Sequence, residues 1–190
     1  PVTLTRALER LIARLRAEAR IDIRQVAHGP APASITIQTL PRARMQRAVP
    51  QAACFVVPRV SSWAEFRQAR RSAGALDWTT LETRERVAIF IPSDVSPQEV
   101  RDCLHEEIGQ ALGPLNDLYR LSDSVFNDDN FHAVLTGFDM LILRTYYDDA
   151  LASGMSRSAT APSETAANAR CRSRSRRAGA TPASDFPISR

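Results

Sequence analysis

The chain is expected to fold as an α+β domain on a single mixed sheet, and three observations lead there. Val87–Ile91 reads Val-Ala-Ile-Phe-Ile, an unbroken apolar run of strand length bounded by Pro92. Ser96-Pro97-Gln98-Glu99 combines a capping serine, a proline at the first helical position and a reciprocal glutamate, the clearest helix start in the chain. The element order is helix, strands, helix, strand, long helix, loop and helix, which places the strands in one sheet with helices beside it.

The elements follow in order. Val2–Ala19 carries Leu4, Leu8, Leu11, Ile12 and Leu15 at helical spacing, with Arg and Glu on the other face. Ile21–Ala27 and Ser34–Leu40 read as strands separated by the breaker run His28-Gly-Pro-Ala-Pro32. Cys54–Val57 is a short strand. Ser62-Trp-Ala-Glu65 has capping-box spacing and starts a helix expected over Trp63–Ser72. The long helix from Pro97 continues through Val100, Leu104, Ile108 and Leu112 and stops at Gly113-Pro114. A last helix is expected over Gly137–Tyr147, capped by Thr136.

A length of 190 residues suits one domain, and 44% apolar with 24% charged residues is ordinary for a globular chain. No apolar run reaches the roughly 18 residues of a membrane span. The chain opens at Pro1 with no leader, which leaves prior removal of a secretory signal open. The pI near 9.5 is misleading. Residues 156–190 hold seven of the 25 Arg against two acids, so the rest of the chain carries 18 Arg and 19 acids and is nearly neutral. A basic tail alone argues against nucleic acid as the partner of the fold. Residues 1–155 therefore form the expected domain. Residues 156–190 are a Ser-, Ala-, Arg- and Pro-rich tail without apolar periodicity, expected to be disordered, and the break raises the alternative that residues 158–190 are not native sequence. Of the three cysteines, Cys171 lies in the tail. Cys54 and Cys103 lie in segments that read as core, where either a disulfide or two buried thiols is consistent with the sequence.

The informative stretch is His105-Glu-Glu-Ile-Gly-Gln-Ala-Leu-Gly-Pro-Leu-Asn-Asp117. Glu106 and Gln110 are four apart, on one helix face, and Gly113 is placed to end the helix in a left-handed conformation and turn the chain back. This frame resembles the H-E-x-x-H-x-x-G-x-x-H motif of metzincin-type zinc proteases, with Asp often following. Anchored on Gly113, the three ligand positions fall on Glu106, Gln110 and Asn116. The general-base position falls on Glu107, and Asp117 takes the trailing aspartate. A register starting at His105 fails, because it puts Gly109 at the second ligand position. Downstream, Asp123-Ser-Val-Phe-Asn127 resembles the turn that carries a methionine beneath the metal, with Phe126 at the methionine position. Leu135-Thr-Gly-Phe-Asp139, Leu143 and Tyr147 resemble the start of the last metzincin helix. The chain to about Arg157 is also similar to an uncharacterised bacterial family, often labelled as lipoproteins, in which E-E-x-x-Q-x-L-G-x-x-N-D replaces the histidine motif.

The resemblance implies a zincin-like fold: a long active-site-type helix and a C-terminal helical subdomain beside the sheet. It also implies an exported, periplasmic or envelope-attached protein, meeting a membrane only through a lipid anchor upstream of Pro1. The substituted residues change the chemistry. Catalytic zinc is held by imidazole, thiolate or carboxylate, whereas Gln110 and Asn116 offer neutral amide oxygens, so zinc affinity should collapse. An all-oxygen set of Glu106, Gln110, Asn116 and Asp117 suits calcium better, but no metal or other cofactor is expected. His132 is an alternative ligand by its nearness to the turn. The expected arrangement is a polar network in which Glu106 accepts from the Gln110 and Asn116 amides, with Phe126 in the core below. Glu106 and Glu107, adjacent on a helix, are not expected to face one another. The expected function is a catalytically degenerate metzincin-like domain acting as a binding or structural module of the bacterial envelope, with a peptide or protein as partner. The alternative is a non-standard metallohydrolase with Glu107 as general base.

Overall fold

A computed structural model describes residues 2–26, 33–115, 118–127, 131–156 and 158–159. Its helices are α1 (Val2–Arg14), α2 (Arg42–Gln46), α3 (Trp63–Ala69), α4 (Pro97–Leu112) and α5 (Gly137–Tyr146). Its strands are β1 (Ile35–Leu40), β2 (Phe55–Pro58) and β3 (Val87–Pro92), which form one three-stranded sheet in the order β1-β3-β2. β1 runs parallel to β3, from Ile35 opposite Val87 to Leu40 opposite Pro92. β2 runs antiparallel to β3, from Phe55 opposite Phe90 to Pro58 opposite Val87. The architecture is mixed α+β, and among the described residues no helix is long and apolar enough to cross a membrane.

The unbroken apolar run of β3 has a simple cause. Every residue of the strand is buried, because layers cover both of its faces. On one face Val87, Ile89 and Ile91 meet Leu11 and Leu15, Leu104 and Ile108 of α4, and Leu143 of α5. On the other face Ala88 and Phe90 meet Met45, Trp63 and Phe66.

Two expected elements differ. Ile21–Ala27 is not a strand over its described part, 21–26, and Ala27 lies outside the described residues. The first helix instead widens into a π-type turn at Leu15–Ala19 and closes at Arg20, whose φ of 59° is left-handed. The Ile21 N–H returns to the Leu15 carbonyl, so the segment starts by serving the helix end rather than a ladder. Ile21 is buried and Ile23 packs on the same core. Their alternation reported burial, and burial does not require strand pairing. The helix expected to Ser72 stops at Ala69, and the chain continues in short turns closed by Arg71 N–H to Gln68 O and Ser72 N–H to Ala69 O. α2 and a 3-10 turn at Trp78–Thr80, capped by Asp77, had no strong local signal.

The predicted cap of α4 is present in full: the Ser96 side chain accepts from Glu99 N–H, and the Glu99 carboxylate accepts from Ser96 N–H. Glu99 also pairs with Arg42, whose own N–H donates to Asp94 Oδ1 at 2.7 Å, so the starts of α2 and α4 are tied together.

Candidate functional site at the α4 surface

α4 presents its residues to several neighbours at once. His105, Gly109 and Gly113, spaced by four, form one line along it. A Cβ on Gly109 would lie 3.0 Å from Phe126 Cζ and 3.2 Å from Leu135 Cδ2. One on Gly113 would lie 2.7 Å from Tyr146 Cε1. Absence of a side chain lets the 123–127 turn and α5 close against the helix. Gly113 has φ 163° rather than the expected left-handed value, so its role here is close approach and not backbone freedom. Arg84 holds the helix end from outside, donating to the carbonyls of Gln110, Ala111 and Gly113 while its guanidinium stacks 5.3 Å from the Trp78 ring.

Below this line lies a polar hub that the residue pattern only half revealed. Asp139 is fully buried. Its carboxylate accepts from Ser124 Oγ at 2.5 Å, from Val125 N–H at 3.1 Å and from Thr136 N–H at 2.7 Å. Ser124 Oγ in turn accepts from Phe126 N–H, and Thr136 Oγ1 donates to the Asp123 carbonyl. Thr136 and Asp139 make the capping box of α5, whose three-residue spacing was visible. That the same carboxylate also organises the 123–126 turn was not visible, because the partners lie 14 and 15 residues away. Phe126, 2% exposed, sits in the core against Gly109.

His105 is buried and hydrogen-bonded. Its Nδ1 accepts from Leu135 N–H at 3.2 Å, and burial, with the charges of Arg14 and Arg101 adding, lowers its pKa from 6.5 to about 4. The ring is neutral at pH 7 and belongs to the packing of the 131–136 segment. His132 Nε2 lies 3.2 Å from Asp123 Oδ1.

The remaining face of α4 meets β2. Cys54, just before β2, and Cys103 are joined by a disulfide with a Cα–Cα distance of 5.9 Å. Cys103 is three residues before Glu106 and four before Glu107, so all three share one side of the helix. Cys54 Sγ and one carboxylate oxygen each of Glu106 and Glu107 lie within 4.8 Å of one another. The two carboxylates thus converge although they are adjacent in sequence, contrary to the simple helical-wheel expectation, because glutamate side chains are long enough to bend toward a common neighbour. Glu107 is buried at 3% exposure, while Glu106 and Gln110 are half-buried. Asn116 and Asp117 lie outside the described residues, as do His28 and the Asp128-Asp129 pair.

Do these residues suit the zinc centre of a metzincin? Among the described residues the donors gathered at the motif are two carboxylates and a sulfur already bound to sulfur. Histidine is not among them: His105 is engaged with Leu135 and His132 stands at Asp123. A disulfide sulfur is not a thiolate ligand, so this set does not match a three-imidazole site.

The fold and this surface define an α+β domain with a disulfide-braced helix and a closely packed turn beneath it. Residues 1–164 match the family described as "Protein of unknown function (DUF2927)", and the chain belongs to that family. No curated protein and no solved structure matches it.

Proposed function

We propose that this is a zincin-like domain that keeps the helix–glycine–turn frame of a metalloprotease but works as a peptide- or protein-binding module of the bacterial envelope. The observation that carries the reading is the substitution at the α4 surface. The general-base position, Glu107, is buried beside the Cys54–Cys103 bridge, and the first two ligand positions hold Glu106 and Gln110. The packing of the frame supports a zincin-like origin. Gly109 and Gly113 admit the Phe126 turn and Tyr146, and Asp139 bonds that turn to α5. The disulfide supports an oxidising compartment, as an envelope location requires. β2 is an edge of the sheet, immediately after Cys54, and an edge strand is the usual acceptor of an extended peptide.

The test is hydrolysis of a mixed peptide library by the purified chain, with and without added zinc, beside Glu107→Gln. The expected result is no turnover above that of the variant, together with retention of intact peptides by the immobilised protein. Turnover that the variant lacks would make the protein a hydrolase and end the binding-module reading.

A further inference from the structure

The Cys54–Cys103 bridge is more than a brace, because of what lies against it. Two carboxylates, Glu106 and Glu107, come within 4.8 Å of Cys54 Sγ and of each other, and one of them is almost wholly buried. While the bridge stands, its sulfurs are spent on each other. Once it is opened, the same place holds two thiols and two carboxylates.

We infer that reduction of the Cys54–Cys103 disulfide creates a binding site for one thiophilic divalent ion of the zinc class, held by both sulfurs with Glu106 and Glu107. This proposal does not rest on the metzincin resemblance. It uses a different donor set from the Glu106, Gln110 and Asn116 positions. The spacing suits an ion. Cys103 and Glu107 stand four apart on α4 and offer two ligands from one helix face, and Cys54 delivers a third from the start of the edge strand. Tetrahedral zinc with Zn–S bonds of about 2.3 Å needs its sulfurs about 3.8 Å apart. The mixed thiolate–carboxylate set is one that zinc accepts. Cys54 is half-buried, which leaves an approach for a reductant.

The chemistry balances with a dithiol as the reductant. Its thiolate attacks one sulfur of the bridge and releases the other. The second thiol of the reductant then resolves the mixed disulfide. Two electrons and two protons pass to Cys54 and Cys103, and the dithiol leaves as a disulfide. Ion binding displaces both thiol protons to solvent. Re-oxidation by a disulfide of a thiol–disulfide oxidoreductase rebuilds the bridge and expels the ion.

The test uses the full chain carrying Cys171→Ser, so that the bridge supplies its only thiols, titrated with cobalt(II) oxidised and after reduction by a non-coordinating phosphine. The expected result is one ion per reduced chain with a near-ultraviolet thiolate-to-cobalt band, bound on the order of 100-fold more tightly than by the oxidised chain. Cys54→Ser/Cys103→Ser should lose the band. Glu106→Gln/Glu107→Gln should keep the band while losing about 10-fold or more in affinity. No ion on reduction, an ion without the sulfur band, or unchanged affinity in the glutamine variant would overturn the site. So would a reduced chain whose near-ultraviolet circular dichroism collapses and is not restored by the ion.

Discussion

The two faces of β3 are covered in different ways, and the difference separates what holds this domain together from what it can use for chemistry. One face is an aromatic layer. Phe55, Trp63, Phe66 and Phe90 pack with ring centroids 5.2 to 6.4 Å apart. Arg44 and Arg70 lie over its outer rings. The other face is aliphatic near the sheet but grows polar beyond it, with His105, Glu107, Ser124, Asn127 and Asp139 all buried on or under α4. An aromatic layer is stabilised by area and ring geometry, whatever the pH. Buried polar groups contribute only while their partners and protonation states are right.

The largest expected effect breaks the polar side. Asp139→Ala leaves the Ser124 hydroxyl and the Val125 and Thr136 amides without their carboxylate. It should cost about 5 kcal/mol in urea unfolding and loosen the 123–127 turn first. On the aromatic side, Phe66→Ala removes a ring that is 4% exposed and touches three others. A loss of about 4 kcal/mol is expected, with the shape of the stability–pH curve unchanged.

The pH curve itself sharpens the contrast. His105 has its pKa depressed from 6.5 to about 4 by burial, so the unfolded chain binds a proton that the folded chain refuses. Its contribution is fully present above pH 6.5 and is lost as pH falls from 6.5 toward about 4. The swing should be roughly 3 kcal/mol, and His105→Gln should flatten it. A constant-pH series of urea melts reads this directly.

The smallest expected effect compares two glycines. Gly109→Ala meets buried Phe126 and Leu135 and should cost about 2 kcal/mol. Gly113→Ala meets Tyr146, a side chain 49% exposed that can swing outward, and should cost about 1 kcal/mol or less. In a Tyr146→Ala background the Gly113 change should become neutral, whereas the cost at Gly109 should persist.

The residue pattern was most legible where the signal is local. The α4 start was readable because Ser96 and Glu99 act on neighbouring backbone groups, and they make those bonds in the fold with Pro97 at the first helical position. β3 was readable because a strand covered on both faces needs no alternation. Thr136 announced α5 as its cap. The pattern failed at Ile21–Ala27, where two isoleucines at strand spacing bury one side without a ladder, and at Gly113, where a helix-ending glycine turned out to serve an aromatic neighbour.

The α4 surface shows the same division at the level of a site. The spacing of four placed Glu106 and Gln110 on one helix face, but the convergence of Glu106 and Glu107 beside Cys54 was not legible, because adjacent helical residues point about 100° apart. Cys54 joins Cys103 from 49 residues away, Arg84 reaches the end of α4 from 26, and Asp139 reaches back to Ser124 across 15. Such contacts follow from how the helix and sheet stack, because burying the apolar faces of α4 and β3 brings distant polar groups to one place. Local backbone chemistry wrote the elements into the chain. Their packing chose which of the side chains meet.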